Sequence, residues 1–201
     1  MEHSTPAVTE LTRAHRPALL RHFLTLDAHD RWLRFGAPAG AAALRAYVGR
    51  IDFERDVVFG IYDGDLELVG VAHLARAGEH AELGISVLAA HRGQGAGGAL
   101  LERAVLRARN WGVRTLYMHC LRENETIMHI ARKQGMRIVT EQGEANAWLA
   151  LAPADASSHF GEVFAQRVAL FDYALKAQLA GARRVASLLR PHRQRPRTLH
   201  S

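Results

Sequence analysis

Apolar residues alternate with polar ones through the middle of the chain and recur every three or four positions on either side of it. Val8 to Thr12 reads as a short strand. Arg16 to Leu26 places Leu19, Leu20, Phe23 and Leu24 at helical spacing. Ala41 to Val48 reads as a second helix behind the loop Gly36-Ala37-Pro38-Ala39-Gly40, with Trp32 and Phe35 in the segment between the two. Val57 to Tyr62, Leu66 to Leu74 and Ala81 to Val87 follow as three consecutive strands, joined by Asp63-Gly64-Asp65 and Ala77-Gly78. A helix over Gly98 to Asn110 buries Leu101, Ala104, Val105 and Ala108, and Gly112 sits where a C-terminal cap belongs. Thr115 to Leu121 is a further strand, and Glu125 to Gln134 a helix stopped by Gly135. Met136 to Glu141 and Ala145 to Leu151 form a hairpin around Gln142-Gly143-Glu144.

From Pro153 the pattern changes. Phe160, Phe164, Val168, Phe171, Leu175, Leu179, Ala182 and Leu189 recur at spacings near three and four, as one long amphipathic helix or as two broken near Gly181. Unbroken over 158–190 it would be roughly 50 Å long. Pro191 ends it, and the polar, basic stretch after it is expected to be disordered. The apolar stripe is expected to pack on the preceding domain or on a second copy of the chain, because solvated phenylalanines waste burial energy. Residues 1–152 therefore read as one domain and 153–201 as a basic helical extension.

The densest chemistry lies between the third of the consecutive strands and the helix after it. Arg92-Gly93-Gln94-Gly95-Ala96-Gly97, followed by Gly98, leaves backbone N–H groups bare of side chains and aims a helix N-terminus at them. That is a cradle for a phosphorylated ligand, with Arg92 placed to meet a phosphate at its rim. Gly93, Gly95 and Gly98 satisfy a bare G-x-G-x-x-G, but the preceding strands have short turns rather than a strand–helix–strand repeat. A Walker loop would need Gly-Lys-Ser/Thr, which does not occur.

Glu82-Leu83-Gly84-Ile85-Ser86-Val87, the Arg92 to Gly97 loop and Leu100-Leu101 resemble the acyl-CoA signature of the GNAT N-acetyltransferase superfamily. Asn124 with Gly135-Met136 is similar to that family's Asn…Gly-Phe block. The resemblance spans roughly residues 8–151. It implies a mixed α/β fold with a central, mostly antiparallel, twisted sheet flanked by helices. It also implies acetyl-CoA (CoA) as the acyl donor and direct transfer to an amine, on a small molecule or a protein. Main-chain groups of Val87 and Leu88 would hold the pantetheine arm. Backbone N–H groups of Arg92, Gly93, Gln94, Gly95, Ala96, Gly97 and Gly98 would hold the pyrophosphate. Asn124 would touch the cofactor arm, or cap the helix after it. Glu82 would be the general base, on a strand face shared with Gly84 and Ser86 while Leu83, Ile85 and Val87 face the core. The segment containing Trp32 and Phe35 often covers the acceptor in this family. One position departs from the pattern, since the usual tyrosine acid is Ala131 here; His129 lies about 200° round the helix from it, and Tyr117 would have to approach from the preceding strand.

Composition narrows the rest. A chain of 201 residues, 48% hydrophobic, buries one sizeable core. No apolar run opens the sequence and none approaches ~20 residues, so neither a secretory leader nor a membrane span is expected. One cysteine, Cys120, excludes an internal disulfide and points to the cytoplasm. Beside His119 on a strand it faces the other way, so the two form no nucleophile–base pair. The twelve histidines show no metal-site spacing, and no metal is expected. Of the net charge of +6, most belongs to residues 153–201, which carry eight Lys/Arg against three acids. Two other functions fit these residues: a non-catalytic acyl-CoA-binding regulator, and a nucleic-acid or acidic-partner module built on the basic tail. The apolar stripe makes nucleic acid the weaker of these partners.

Overall fold

The computed structural model describes residues 5–141 and 144–188. A seven-stranded sheet runs in the order β1-β2-β3-β4-β5-β7-β6. Its strands are β1 (Thr9–Leu11), β2 (Val57–Tyr62), β3 (Leu68–Ala77), β4 (His80–Val87), β5 (Thr115–Leu121), β6 (Arg137–Glu141) and β7 (Glu144–Ala150). All neighbours are antiparallel except β4 and β5. All six residues of β2 are buried, as expected of a central strand with both faces covered.

Helices α1 (Arg16–Thr25), α2 (Ala28–Phe35) and α3 (Ala41–Arg50) belong to one side of the sheet, and α4 (Ala96–Asn110) and α5 (Glu125–Lys133) to the other. The first side is packed with Leu19, Phe23, Leu44, Val58 and Val71. The second holds Phe59, Leu74, Leu83, Leu100, Leu101, Leu116 and Met118.

Helix α2 departs from the sequence reading, which left Trp32 and Phe35 between helices. Asp27 caps it, accepting from Asp30 N–H, and Gly36 ends it at φ +67°. The turn after β2 is also longer than expected. Asp63 Oδ1 accepts from the N–H groups of Asp65 and Glu67, so β3 starts at Leu68. The tip of the β6–β7 hairpin, Gln142-Gly143, lies outside the described residues.

Helix α6 (Ala156–Leu188) is continuous through Gly181. It is seated by polar groups and small residues. Glu162 meets Arg103 Nη1 at 3.1 Å and Arg107 Nε at 2.5 Å, and accepts from Asn110 Nδ2 at 2.5 Å; Ser158 Oγ donates to Asn110 Oδ1 at 2.6 Å. Ala169 and Ala180 are buried, Tyr173 meets Tyr62 edge to face, and Lys176 Nζ donates to Tyr62 O. The stripe, expected to pack on the domain or on a second copy, points away from the domain, with Phe160, Phe164 and Phe171 75%, 63% and 73% exposed. The polar contacts and the close approach permitted by alanine select the opposite face. Pro191 and the basic end lie outside the described residues.

Candidate active site

The site begins where the sheet opens. Strands β4 and β5 pair only at His80–Thr115, Ala81–Leu116 and Glu82–Tyr117. Beyond that point β4 continues to Val87 and β5 to Leu121 without pairing with each other. Leu88 N–H bonds Val69 O, so by antiparallel alternation Ser86 and Gly84 bond β3, while the main-chain groups of Ile85 and Val87 face the gap. An extended arm carrying amide groups can pair with that edge. Leu88, expected to share this role, has its N–H on Val69 O and its carbonyl on His91 N–H. The N–H groups of Ile85 and Val87 therefore face the gap, while those main-chain groups of Leu88 are engaged within the chain.

The gap continues into a cleft of about 650 Å³ between α2, the glycine loop, α4 and α5. Gly93 and Gly95 have φ of +73° and +83°. Among the described residues, chain neighbours aside, nothing lies within 4 Å of a Cβ built on Gly93, and Pro6 approaches one on Gly95 at 3.9 Å. No side chain caps α4 at Gly95. The first-turn N–H groups of Ala96, Gly97 and Gly98 are thus available to an anion, as is the positive end of a 15-residue helix. Gly97 has a second role: a Cβ there would stand 2.8 Å from Ile130 Cδ1, so the glycine sets the approach of α4 to α5. Gln94 is exposed on the loop.

Arg92 departs from expectation. Its Nη2 is 2.6 Å from the buried Asp30 carboxylate, and its Nε donates to Val87 O. It clamps α2 to the loop rather than standing free for a phosphate. Lys133, with Thr126, His129 and Ile130, lines the α5 wall of the cleft. The sequence reading missed Lys133, whose signal is its place on the i, i+3, i+4, i+7 stripe counted from Thr126. Asn124 lines the cleft and also caps α5, accepting from Ile127 N–H. Ala131, at the position of the family's tyrosine, is buried in the core.

Glu82 is exposed on the face of β4 that carries Gly84 and Ser86. It stands beside Tyr117 in the last paired rung, and Tyr117 donates to Asn146 Oδ1 and stacks on Trp148. Burial, with Glu82 next, pushes the Tyr117 hydroxyl above its ordinary range. Cys120 is buried, its thiol donating to Ala145 O.

The face beside Glu82 holds polar groups that the sequence reading did not single out. Ser86 Oγ is 2.8 Å from His22 Nε2, and His22 Nδ1 is 2.8 Å from Leu68 O. The carbonyl can only accept, so Nδ1 carries the proton and Ser86 donates to Nε2. Burial, partly offset by the Leu68 bond, lowers the His22 pKa to about 4 and keeps the ring neutral. Over Gly84 lies the Arg34 guanidinium, against the rings of Phe35, Tyr47 and Phe23 at 4.9, 5.7 and 6.0 Å. Arg34 Nη2 donates to Tyr47 Oη, Tyr47 Oη to His73 Nδ1, and His73 Nε2 to Asp56. Burial holds His73 below its ordinary pKa against the opposing pull of Asp56, so this ring is neutral as well. Trp32 donates to Glu123 from the outer side of α2.

A family model described as the acetyltransferase (GNAT) family matches residues 20–136, more than half of the chain. No curated protein sequence matches. Among solved structures, the GNAT domain of S. lividans PAT is 23% identical, with 72% of this chain and 89% of that one covered at a TM-score of 0.63. Spermidine N-acetyltransferase from Vibrio cholerae, solved with CoA and spermine, is 18% identical, with 72% and 95% covered at 0.59. Phosphinothricin acetyltransferase from Sinorhizobium meliloti, solved with AcCoA, is 16% identical, with 76% and 95% covered at 0.60. The open β4–β5 edge, the uncapped glycine cradle and the match over residues 20–136 agree: the chain belongs to the acetyltransferase (GNAT) family and is an acyltransferase.

Proposed function

We propose that the protein moves an acetyl group from acetyl-CoA to a primary amine by direct attack in a ternary complex. The observation that carries this reading is the continuity of the cleft: one end is the uncapped α4 N-terminus and the other is the unpaired edge of β4. The first end suits a pyrophosphate and the second an amide-bearing arm, so the residues present fit CoA along its length. Bound acetyl-CoA supplies a thioester, whose carbonyl carbon is electrophilic and whose thiol leaves readily near neutral pH.

The remaining chemistry falls to the chain. The amine must lose a proton before it attacks, and Glu82 is the carboxylate nearest the point where β4 and β5 part. It takes that proton through a water as the N–C bond forms and the C–S bond breaks. Main-chain N–H groups at the β4 edge are placed to orient the carbonyl and to stabilise the charge that develops on its oxygen. Glu125, His129 and Lys133 are protonatable side chains of the α5 wall. Glu82→Gln should lower turnover about 10- to 1000-fold where the amine is mostly protonated, with the deficit shrinking as pH rises. Equal turnover at all pH values would remove Glu82 from the mechanism. Absence of CoA binding by titration calorimetry at millimolar concentration would remove the whole reading.

A further inference from the structure

Of the two arginines lining the cleft, Arg92 is paired with Asp30, and Arg34 meets no carboxylate among the described residues. The Arg34 Nε is buried without a partner. A half-buried cation in this state is costly unless something completes its shell. Its direct contacts hold the charge without a carboxylate among them, Asp56 lying beyond Tyr47 and His73 in the hydrogen-bonded chain. Three aromatic rings flank it, Tyr47 accepts one of its N–H groups, and the two histidines nearby are neutral. Gly84 makes room for it, since a Cβ there would collide with the guanidinium.

We infer that Arg34 anchors a carboxylate on the acceptor, so that the acceptor is an amine that also bears a carboxylate, the amino acids being the simplest class. This rests on the acetyl-transfer reading above. The planar fork of Arg34 suits two-point binding of a carboxylate. Gly84, beneath it, is two residues along β4 from Glu82, about 7 Å of strand. That distance spans the carboxylate, the amine and one water of a short amino acid. The phosphates belong at the other end of the cleft, on the α4 N-terminus.

The test is a thiol-release assay with acetyl-CoA, run on the wild type against free amino acids, γ-aminobutyrate and the matching amides. In parallel, calorimetry measures binding of the same compounds to the CoA complex. Acids should show a KM about 10- to 100-fold below their amides, the scale of a charge-assisted hydrogen-bonded pair. Arg34→Met should erase that ratio with CoA affinity unchanged, and Arg34→Lys should restore part of it. Binding of acids over amides without thiol release would keep the anchor and refute the transfer reading. Amides equal to acids in the wild type, in both assays, would overturn the anchor, and this comparison needs no variant to fold. A switch in donor preference from acetyl-CoA to succinyl-CoA with a neutral amine would also overturn it, by placing the carboxylate on the acyl chain.

A separate observation concerns α6. Its exposed positions Phe160, Phe164, Val168, Phe171, Leu175 and Leu179 are spaced 4, 4, 3, 4 and 4, the same in both directions. An antiparallel second copy centred between Ala169 and Leu170 sets Phe160 against Leu179, Phe164 against Leu175 and Val168 against Phe171. Each ring then meets an aliphatic side chain, in a self-complementary contact of the kind a two-fold axis requires. The three rings offer on the order of 400 Å², given 150–250 Å² for a whole aromatic side chain. Exposed aliphatic residues roughly double this, reaching the ~800 Å² per partner of a standard interface. We propose that α6 is the interface of a homodimer. Sedimentation at micromolar concentration should show a dimer, and Phe164→Glu with Phe171→Glu should give a monomer with unchanged CoA affinity. A wild-type monomer at 100 micromolar would overturn this, as would a dimer that persists in the double variant. Wild-type binding to anionic vesicles without self-association would assign the stripe to a membrane surface and overturn it too.

Discussion

His22 couples stability to pH in a way that can be isolated. Its ring is 2% exposed and neutral, with a pKa of about 4 against 6.5 for a free histidine. Between these values the unfolded chain binds a proton that the folded chain refuses. The stabilisation is therefore present above pH 6.5 and is lost as pH falls toward 4. Single-site linkage puts the loss at about 2 kcal/mol between pH 7 and pH 5, approaching about 3 kcal/mol at pH 4. His73, also held below its ordinary pKa, contributes with the same sign, so the measurement has to be a difference. His22→Gln removes the titrating group and lays a pH-independent cost on the Ser86 and Leu68 bonds. Urea unfolding of wild type and variant at pH 7 and pH 5 then gives the answer. The stability gap between them should narrow by about 2 kcal/mol at the lower pH. A gap that is constant to within about 0.5 kcal/mol, the usual scatter for independent sites, would refute the neutral, buried ring and the Ser86–His22–Leu68 tie built on it.

Other consequences are as specific. Gly95→Val forces a β-branched residue to a φ of +83°; CoA affinity measured by calorimetry should fall at least tenfold and stability by about 1–2 kcal/mol. Gly84→Ala should push the Arg34 guanidinium out of its aromatic surround, so the acid-over-amide preference disappears while CoA affinity is kept. Glu162→Gln should lower stability by about 2 kcal/mol in urea unfolding, by leaving Arg103 and Arg107 short of a charge. Burial raises the Glu162 carboxyl, but Asn110, Arg107 and Arg103 together hold it below its ordinary range. Its stabilisation is therefore present above the usual carboxylate pKa and fades as pH falls through the depressed value, a fade that the variant should not show.

The strands, the glycine cradle and α4 were legible because their signals are local: alternation, turn residues, and glycines at the positions that take positive φ. Asn124 was legible as the cap of α5. Helix α2 was not, because the apolar stripe Ala28, Trp32 and Phe35 spans only two turns, and Asp27 and Gly36, which mark its ends, were not read as caps. Arg34, His22 and Ser86 escaped notice because what makes them unusual is tertiary. A guanidinium over Gly84 and a neutral histidine beneath β4 depend on helices that sequence spacing does not position. The pairing of Arg92 escaped notice for the same reason, since Asp30 is 62 residues away along the chain. In α6 the apolar stripe was correctly seen, but its destination depends on Glu162, Asn110 and the buried alanines on the other side of the helix.

The central claim is that one cleft binds acetyl-CoA and delivers its acyl group to an amine. The most direct measurement is thiol release from acetyl-CoA, followed in time with and without a panel of amines that includes free amino acids, and with mass analysis of the acceptor. Amine-dependent release, matched mole for mole by an N-acetylated product and weakened by Glu82→Gln, is the predicted result. Tight CoA binding with no release above the amine-free rate across the panel would contradict it.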